Sequence, residues 1–149
     1  MPIKPLQAGD VIALGPRQVS KEEIIEFAQE FDPAPYHLDE EAAKKMMLGG
    51  LTASGWHICS LAMKMMCDAY VLGSGSQGSP GIEYCRWKTP VRPGDTLTGV
   101  NRVISVRDSK SLPNIGISEL ELEIHNQNGE LVMEMKSFGY FTLTEGSAQ

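Results

Sequence analysis

From residue 55 to residue 72 the sequence reads GWHICSLAMKMMCDAYVL, a long apolar segment that decides the fold. Its only two charges, Lys64 and Asp68, stand one helical turn apart, so both can lie on one exposed edge of a helix. A helix that is apolar over nearly all of its remaining surface must be covered by other parts of the chain. Residues 73–81 are rich in glycine and serine and end it. We therefore predict one long buried helix.

Downstream of this helix the pattern changes to that of β-strands. Residues 120, 122 and 124 are apolar and alternate with glutamates, as in a strand with one buried and one solvated face. An NQNG turn leads to Leu131, Met133 and Met135, which alternate again. The predicted strands span residues 82–88, 96–107, 115–125 and 130–141, with a tight turn at 90–95. One buried helix followed by antiparallel strands predicts an α+β fold whose sheet curls around the helix.

Short elements precede the long helix. Residues 11–14 have the pattern of a short strand, which the Gly-Pro pair at 15 and 16 ends. A capping box at residues 20–23 starts a helix with one apolar face, which Pro33 stops. Asp39 is a suitable N-cap for a second short helix over residues 40–47. The glycines at 49 and 50 would terminate that helix.

Length and cysteine content bound the class of protein. The 149 residues fit one domain over residues 1–149, with a core that needs no metal or disulfide. No apolar run approaches the roughly 20 residues that span a bilayer, and the N-terminus lacks the hydrophobic run of a signal peptide. Cys59, Cys67 and Cys85 are odd in number and scattered, which favours buried free thiols in a reducing compartment. We expect a cytoplasmic protein.

The charge distribution bears on possible partners. A net charge of −6 argues against nucleic acid. Six basic but only two acidic side chains lie between residues 86 and 110, and such a region can receive a phosphorylated ligand. The same pattern fits a strand face whose basic residues only meet solvent, and charge alone favours this second interpretation.

Residues 27–37, which read FAQEFDPAPYH, carry the candidate chemistry. They resemble the signature of the MaoC-like dehydratases, also called (R)-specific enoyl-CoA hydratases. That signature has a Phe-Ala helix, then an Asp and a His separated by four residues, and a proline two residues before the His. Asp32, Pro35 and His37 match it. The resemblance runs from about residue 9 to residue 141 and includes the Ser54-Gly55 start of the long helix and the turn at 90–95.

The resemblance implies a single hotdog domain that forms at least a homodimer. It also implies reversible hydration of a 2-enoyl-CoA, or dehydration of the 3-hydroxyacyl-CoA, without a metal or a redox cofactor. Three positions depart from the family pattern: Phe31 replaces a glycine, Ala34 an asparagine and Ser54 a histidine. Loss of the asparagine removes a polar group that could orient the catalytic pair, and Phe31 adds bulk beside it.

The residues themselves suit this reaction. Adding water to an enoyl thioester needs a base for the water, an acid for the α-carbon and stabilisation of an enolate-like oxyanion. Asp32 is the candidate base, and His37 can orient water or shuttle a proton. The amides at the start of the long helix suit the oxyanion, with Gly55 leaving room for close approach. Without the resemblance, Asp32 would be interpreted as a helix-end carboxylate and His37 as a surface residue.

Further residues are candidates for contact with the substrate. Ser54 is expected to contact the substrate, with Phe31, Tyr36 and Trp56 as aromatic walls of the pocket. Arg86, Lys88 and Arg92 are the candidates for the coenzyme A phosphates. His57 either faces the site or packs in the core, and His125 is expected to be exposed. The three histidines, His37, His57 and His125, are too scattered along the sequence to predict a metal site. The methionines at 46, 47, 63, 65 and 66 either fill the core or line an acyl tunnel.

Two other functions remain open at this stage. A hotdog thioesterase would use a carboxylate to direct water at the thioester carbonyl. A non-catalytic module that binds acyl thioesters would fit the missing asparagine. The acyl group, the choice between coenzyme A and acyl carrier protein, and the stereochemistry are not fixed by these residues.

Overall fold

In the computed structural model, which describes residues 3–143, the long predicted helix is α4 (Gly55–Ala69). Its core-facing residues are Ile58, Leu61, Ala62 and Met65. The ion pair between Lys64 and Asp68 lies on the exposed side, with 2.8 Å between Nζ and Oδ1, as predicted. Trp56 and Met63 are also exposed, by 63% and 45%. The expectation of a helix covered nearly all round is therefore wrong within the described chain, because one sheet covers only one side of it.

Within residues 3–143, six strands form one antiparallel sheet that packs on α4. They are β1 (Val11–Gln18), β2 (Ser76–Gly78), β3 (Ile82–Trp87), β4 (Thr96–Asp108), β5 (Ile115–His125) and β6 (Leu131–Thr142). The order is β1-β4-β5-β6-β2, and β3 also pairs with β6. The bounds of β3 to β6 differ from the predicted ones by no more than one residue at either end, whereas β2 lies in the predicted loop. A curved antiparallel sheet against one long helix is the expected α+β hotdog arrangement.

Strands β5 and β6 show how the apolar pattern directs the packing. The apolar residues of β5, which are Leu120, Leu122 and Ile124, are buried as predicted. In β6 the predicted alternation breaks at its start, because both Val132 and Met133 are fully buried. Ile124 pairs with Met133 and His125 with Leu131, so Val132 is an extra residue in a bulge.

Strand β1 continues through the Gly-Pro pair that was predicted to end it. The register with β4 shifts between Leu14 and Arg17, so Gly15 and Pro16 form a bulge within the strand. Gly15 has a φ of +86°, and a Cβ there would lie 2.8 Å from the Leu97 carbonyl oxygen. Glycine is therefore the residue that this bend accepts.

The helices before α4 are short. Helix α1 (Lys21–Phe31) begins with the predicted capping box, in which the Ser20 hydroxyl accepts from the Glu23 amide. Helix α2 (Pro35–Leu38) was not predicted. Helix α3 (Glu40–Lys44) is capped by Asp39 as predicted but ends three residues early. Within residues 3–143 no helix combines the length and apolar character needed to cross a membrane.

Candidate active site

Asp32, His37 and Ser54 come together from three different elements. Asp32 is the C-cap of α1, His37 lies in α2, and Ser54 is the N-cap of α4. The Ser54 hydroxyl donates to Asp32 Oδ2 across 2.7 Å, and His37 Nε2 lies 3.4 Å from the same oxygen. One carboxylate oxygen thus faces both side chains. The structure brings together the two residues that the sequence paired, and it adds the serine as their third member.

The orientation of the His37 ring follows from its second nitrogen. Nδ1 lies 2.6 Å from the Thr52 carbonyl oxygen, which can only accept, so Nδ1 carries a proton. Nε2 then faces Asp32 with its lone pair when the ring is neutral. A direct hydrogen bond between Nε2 and Oδ2 requires a proton on one of the two atoms. His37 is 7% exposed, which contradicts its interpretation as a surface residue.

The segment between α3 and α4 holds the ring in place. The Thr52 amide donates to the Tyr36 carbonyl oxygen, and the Ala53 amide donates to that of Val91. Tyr36 packs its ring edgewise on His37, with 4.5 Å between centroids. Thr52 was not predicted as a site residue, and its contribution is a backbone carbonyl, which leaves no signal in a sequence.

Ser54, which was predicted to contact the substrate, hydrogen-bonds to the Asp32 carboxylate. It is fully buried, and its oxygen also accepts from the Trp56 amide at 3.3 Å. The hydroxyl therefore links the first turn of α4 to Asp32. Asp32 Oδ1 has no hydrogen-bond partner among residues 3–143, and the Asp32 side chain is 29% exposed. The Asp32 side chain is therefore partly open to solvent.

A cavity of about 250 Å³ opens beside His37. Its lining includes Gly55 and Ile58 of α4, with Trp87 and Lys88 on the opposite side. Trp87 covers Gly55 so closely that a Cβ there would lie 2.5 Å from the indole ring. The space beside Gly55 that was expected to be open to substrate is therefore partly filled by this ring. Asp32 and Ser54 are not in the lining, and His37, 3.4 Å from Asp32, connects the carboxylate to the cavity.

Trp87 was absent from the predicted site, and Trp56 was included in it. Trp56 is exposed and contacts Trp87 edge to face, with 5.6 Å between ring centroids, but it does not line the cavity. Trp87 lies at the end of β3 just before the predicted turn. A large aromatic residue between two basic ones was the available signal.

The three basic candidates separate in the structure. Lys88 lines the cavity and lies 3.8 Å from a Glu134 carboxylate oxygen. Arg86 pairs with the same glutamate at 3.3 Å and stacks over the Tyr84 ring. The Arg92 guanidinium donates to the Leu48 carbonyl oxygen across 2.6 Å, so it holds the segment before α4. Lys88 is the candidate placed to meet a ligand that enters this cavity.

His57 lies away from the cavity, on the core side of α4. Its ring stacks on Phe27 with 4.6 Å between centroids, and it is buried. Within the described chain Nδ1 has no hydrogen-bond partner, and burial lowers the pKa of the ring. His57 is therefore a core histidine, and His125 is half-buried and not exposed as predicted.

The predicted methionines divide between core and surface. Met65 is in the core, and Met46 and Met47 are exposed. Met63 and Met66 line a second cavity of about 370 Å³ between α4 and β6. The free cysteines are half-buried and not fully buried as expected.

Known proteins share the sequence pattern and the fold of this chain. The profile of the MaoC like domain matches residues 7–120. A MaoC-like dehydratase from Rhodospirillum rubrum is 36% identical, with a TM-score of 0.83 over 92% of this chain and 93% of that one. A monoamine oxidase regulatory protein from Archaeoglobus fulgius is 30% identical, with a TM-score of 0.84 over 97% and 95%. The (R)-hydratase from A. caviae involved in PHA biosynthesis is 25% identical, with a TM-score of 0.72 over 90% and 96%.

Proposed function

The chain belongs to the MaoC-like domain family, and from that premise we propose that it catalyses reversible hydration of a 2-enoyl-CoA, using Asp32 and His37. The observation that carries the proposal is the approach of His37 Nε2 to Asp32 Oδ2, 3.4 Å apart, where the ring borders a cavity. The similarity to a dehydratase and an (R)-hydratase supports the reaction class. The assignment of these two residues is supported by the resemblance of residues 27–37 to the family signature and by the approach of the two side chains.

In the proposed reaction, Asp32 takes a proton from water while the water oxygen bonds to the β-carbon of the enoyl group. The double bond shifts toward the thioester, whose oxygen gains negative charge. A proton relayed through His37 then bonds to the α-carbon. Dehydration is the same path in reverse. Acid and base groups of this kind are typically worth about 10²–10⁴-fold in rate.

The thioester oxygen would be stabilised at the N-terminus of α4. Ser54 already occupies the Trp56 amide, so the Gly55 amide is the donor that we assign to the oxyanion. The helix dipole favours negative charge there. Because Trp87 lies against Gly55, the ring also limits which thioesters can reach that amide.

The dimensions of the cavity point to a small acyl group. About 250 Å³ is below the roughly 300–1,000 Å³ typical of pockets for drug-sized ligands. The lining carries one charge, that of Lys88, which would meet the phosphorylated carrier and not the acyl chain. The substrate that we propose is thus a short, uncharged 2-enoyl thioester of coenzyme A.

We also propose that the working enzyme is a homo-oligomer. Trp56, Met63 and Ile82 expose large apolar surfaces on α4 and on the neighbouring strand β3. A closed two-fold pair is the commonest way to cover such a surface. Light scattering across a dilution series would test it, and a monomer at every concentration would contradict it.

The activity is tested with short, medium and branched 2-enoyl-CoAs, following loss of the conjugated absorbance. We expect turnover that is fastest with the shortest chains. Release of free thiol without a change in the enoyl chromophore would identify a thioesterase instead. Thermal stabilisation by the acyl-CoA without any turnover would identify a binding module, and either result would overturn the proposal.

A further inference from the structure

Two of the three cysteines meet beside the candidate site. Cys59 lies in the second turn of α4 and Cys85 in β3, and their Sγ atoms are 3.8 Å apart. The Met133 Sδ atom lies 3.7 Å from Cys59 Sγ and completes an apolar sulfur cluster. Cys67 lies elsewhere, in the lining of a separate groove near the N-terminal segment. The pair therefore differs from the third thiol in its surroundings.

The two sulfurs are already in van der Waals contact. A disulfide needs an S–S distance of about 2.05 Å, so the two sulfur atoms must approach by roughly 1.8 Å. We propose that Cys59 and Cys85 are a modification site at which a reversible intrachain disulfide joins α4 to β3. Nothing in the proposed hydration uses either thiol.

A peroxide is the oxidant class that balances the reaction. The Cys85 thiolate attacks one peroxide oxygen, so an S–O bond forms, the O–O bond breaks and water leaves after protonation. The Cys59 sulfur then displaces the hydroxyl of the sulfenic acid, which leaves as a second water. Two thiols are oxidised and one peroxide is reduced. A dithiol reductant reverses the bond by exchange.

The local environment sets the order of these steps. Burial raises the pKa of both thiols, and that of Cys59 to about 12. Because the thiolate is the nucleophile, the less shielded Cys85 reacts with peroxide first and Cys59 resolves it. Cys85 therefore reacts with peroxide more slowly than an ordinary exposed thiol does. The pair stays reduced during brief exposure to peroxide and is oxidised only by prolonged exposure.

The Cys59–Cys85 disulfide would shift Trp87, which lines the cavity beside His37. Trp87 follows Cys85 by two residues in β3, so the two side chains lie on the same face of the strand. The Trp87 ring covers Gly55, which lies four residues before Cys59 in α4. Drawing the two cysteines together would therefore move this ring relative to α4. This effect on catalysis rests on the proposed function, whereas the disulfide itself does not.

The test uses the full chain with Cys67→Ser, which leaves the pair unaltered. Reduced protein is treated with hydrogen peroxide, remaining thiols are alkylated, and peptides are mapped by mass spectrometry without reduction. We expect a linked Cys59–Cys85 peptide in most chains, which dithiothreitol removes. Alkylation of both cysteines in most chains, or sulfinic acid at Cys85 without the linked peptide, would overturn the proposal.

A second arm separates this proposal from the enzymatic one. Hydratase activity is measured for the Cys67→Ser protein and for Cys59→Ser/Cys67→Ser, before and after peroxide. We expect oxidation to change KM in the first protein only, with recovery in dithiothreitol. If no enoyl-CoA is turned over but the linked peptide forms, the proposed function fails while the disulfide stands. If the activity is present and the linked peptide is absent, the disulfide fails alone.

Discussion

Ser54 donates a hydrogen bond to Asp32 Oδ2 across 2.7 Å while it caps α4. One buried hydroxyl thereby connects the start of the long helix to the candidate base. Where the family pattern has an asparagine, this chain has Ala34, whose side chain can make no hydrogen bond. The serine offers another means of orienting the carboxylate.

Replacing this serine should impair catalysis and stability together. We expect Ser54→Ala to lower kcat about 10- to 100-fold with little change in KM, since a hydrogen bond to a charged group is worth about 1.5–3 kcal/mol. Loss of the N-cap should lower the free energy of unfolding by about 1 kcal/mol. Steady-state kinetics and urea unfolding measure the two effects.

The matched control is Ser20→Ala, which removes the N-cap of α1 away from the site. It should lose similar stability and keep its kcat. Equal kcat in the two variants would show that Ser54 contributes only to the helix.

The contact between Gly55 and Trp87 predicts that the effect of Gly55→Ala on the free energy of unfolding depends on whether Trp87 is present. Gly55→Ala should destabilise the protein, because the new Cβ would meet the indole ring at 2.5 Å. In a Trp87→Ala background the same substitution should be neutral or stabilising by up to about 1 kcal/mol, since alanine is the better helix former. Urea unfolding of the four proteins measures the coupling. Equal effects of Gly55→Ala in both backgrounds would contradict the packing described here.

Trp87 should also limit the length of the acyl group. Trp87→Ala enlarges the cavity, so kcat/KM for medium-chain enoyl-CoAs should rise relative to the shortest substrate, by about tenfold if one to two methylenes gain a place. Trp56→Ala, which removes an exposed ring outside the lining, should leave the ratio unchanged. If the ratio of kcat/KM for medium-chain and short-chain substrates is the same in wild type and Trp87→Ala, Trp87 does not determine chain-length specificity.

His57 predicts how stability depends on pH. Burial lowers the pKa of the folded ring below the ordinary 6.5, so the folded state binds fewer protons than the unfolded state. The contribution of His57 to stability is present above pH 6.5 and is lost as the pH falls through the lowered pKa. His57→Phe, which cannot titrate, should flatten the curve of unfolding free energy between about pH 5 and pH 7. His125→Gln is the control, and equal slopes for His57→Phe and wild type would contradict the assignment.

The sequence predicts most of the fold because its periodic signals are local. The capping box at Ser20 and the alternation through Leu120, Leu122 and Ile124 each act within a few residues, and the structure confirms them. The bulges at Gly15 and Val132 depend on the partner strand, so local patterns miss them. The apolar surface of α4 predicts burial on nearly all sides, but among residues 3–143 Trp56 stays 63% exposed.

The candidate site was only partly predictable for a related reason. Asp32 and His37 are close in sequence and are held apart by two prolines, so their spacing is visible. The sequence predicts Ser54 only as a substrate contact. Its bond to Asp32 is missed because it requires α1 and α4 to meet in the tertiary fold. Trp87 comes from a strand far along the chain, and its contact with Gly55 is a product of the tertiary fold alone.

The most direct test of the central claim is kcat/KM of Asp32→Asn with the best 2-enoyl-CoA of wild type. Asp68→Asn, an exposed carboxylate on α4, is the matched control, and circular dichroism establishes that both variants fold. We expect a loss of at least about 100-fold for Asp32→Asn and a change of less than about twofold for Asp68→Asn. A folded Asp32→Asn protein within a few-fold of wild type would contradict the assignment of this carboxylate as the base.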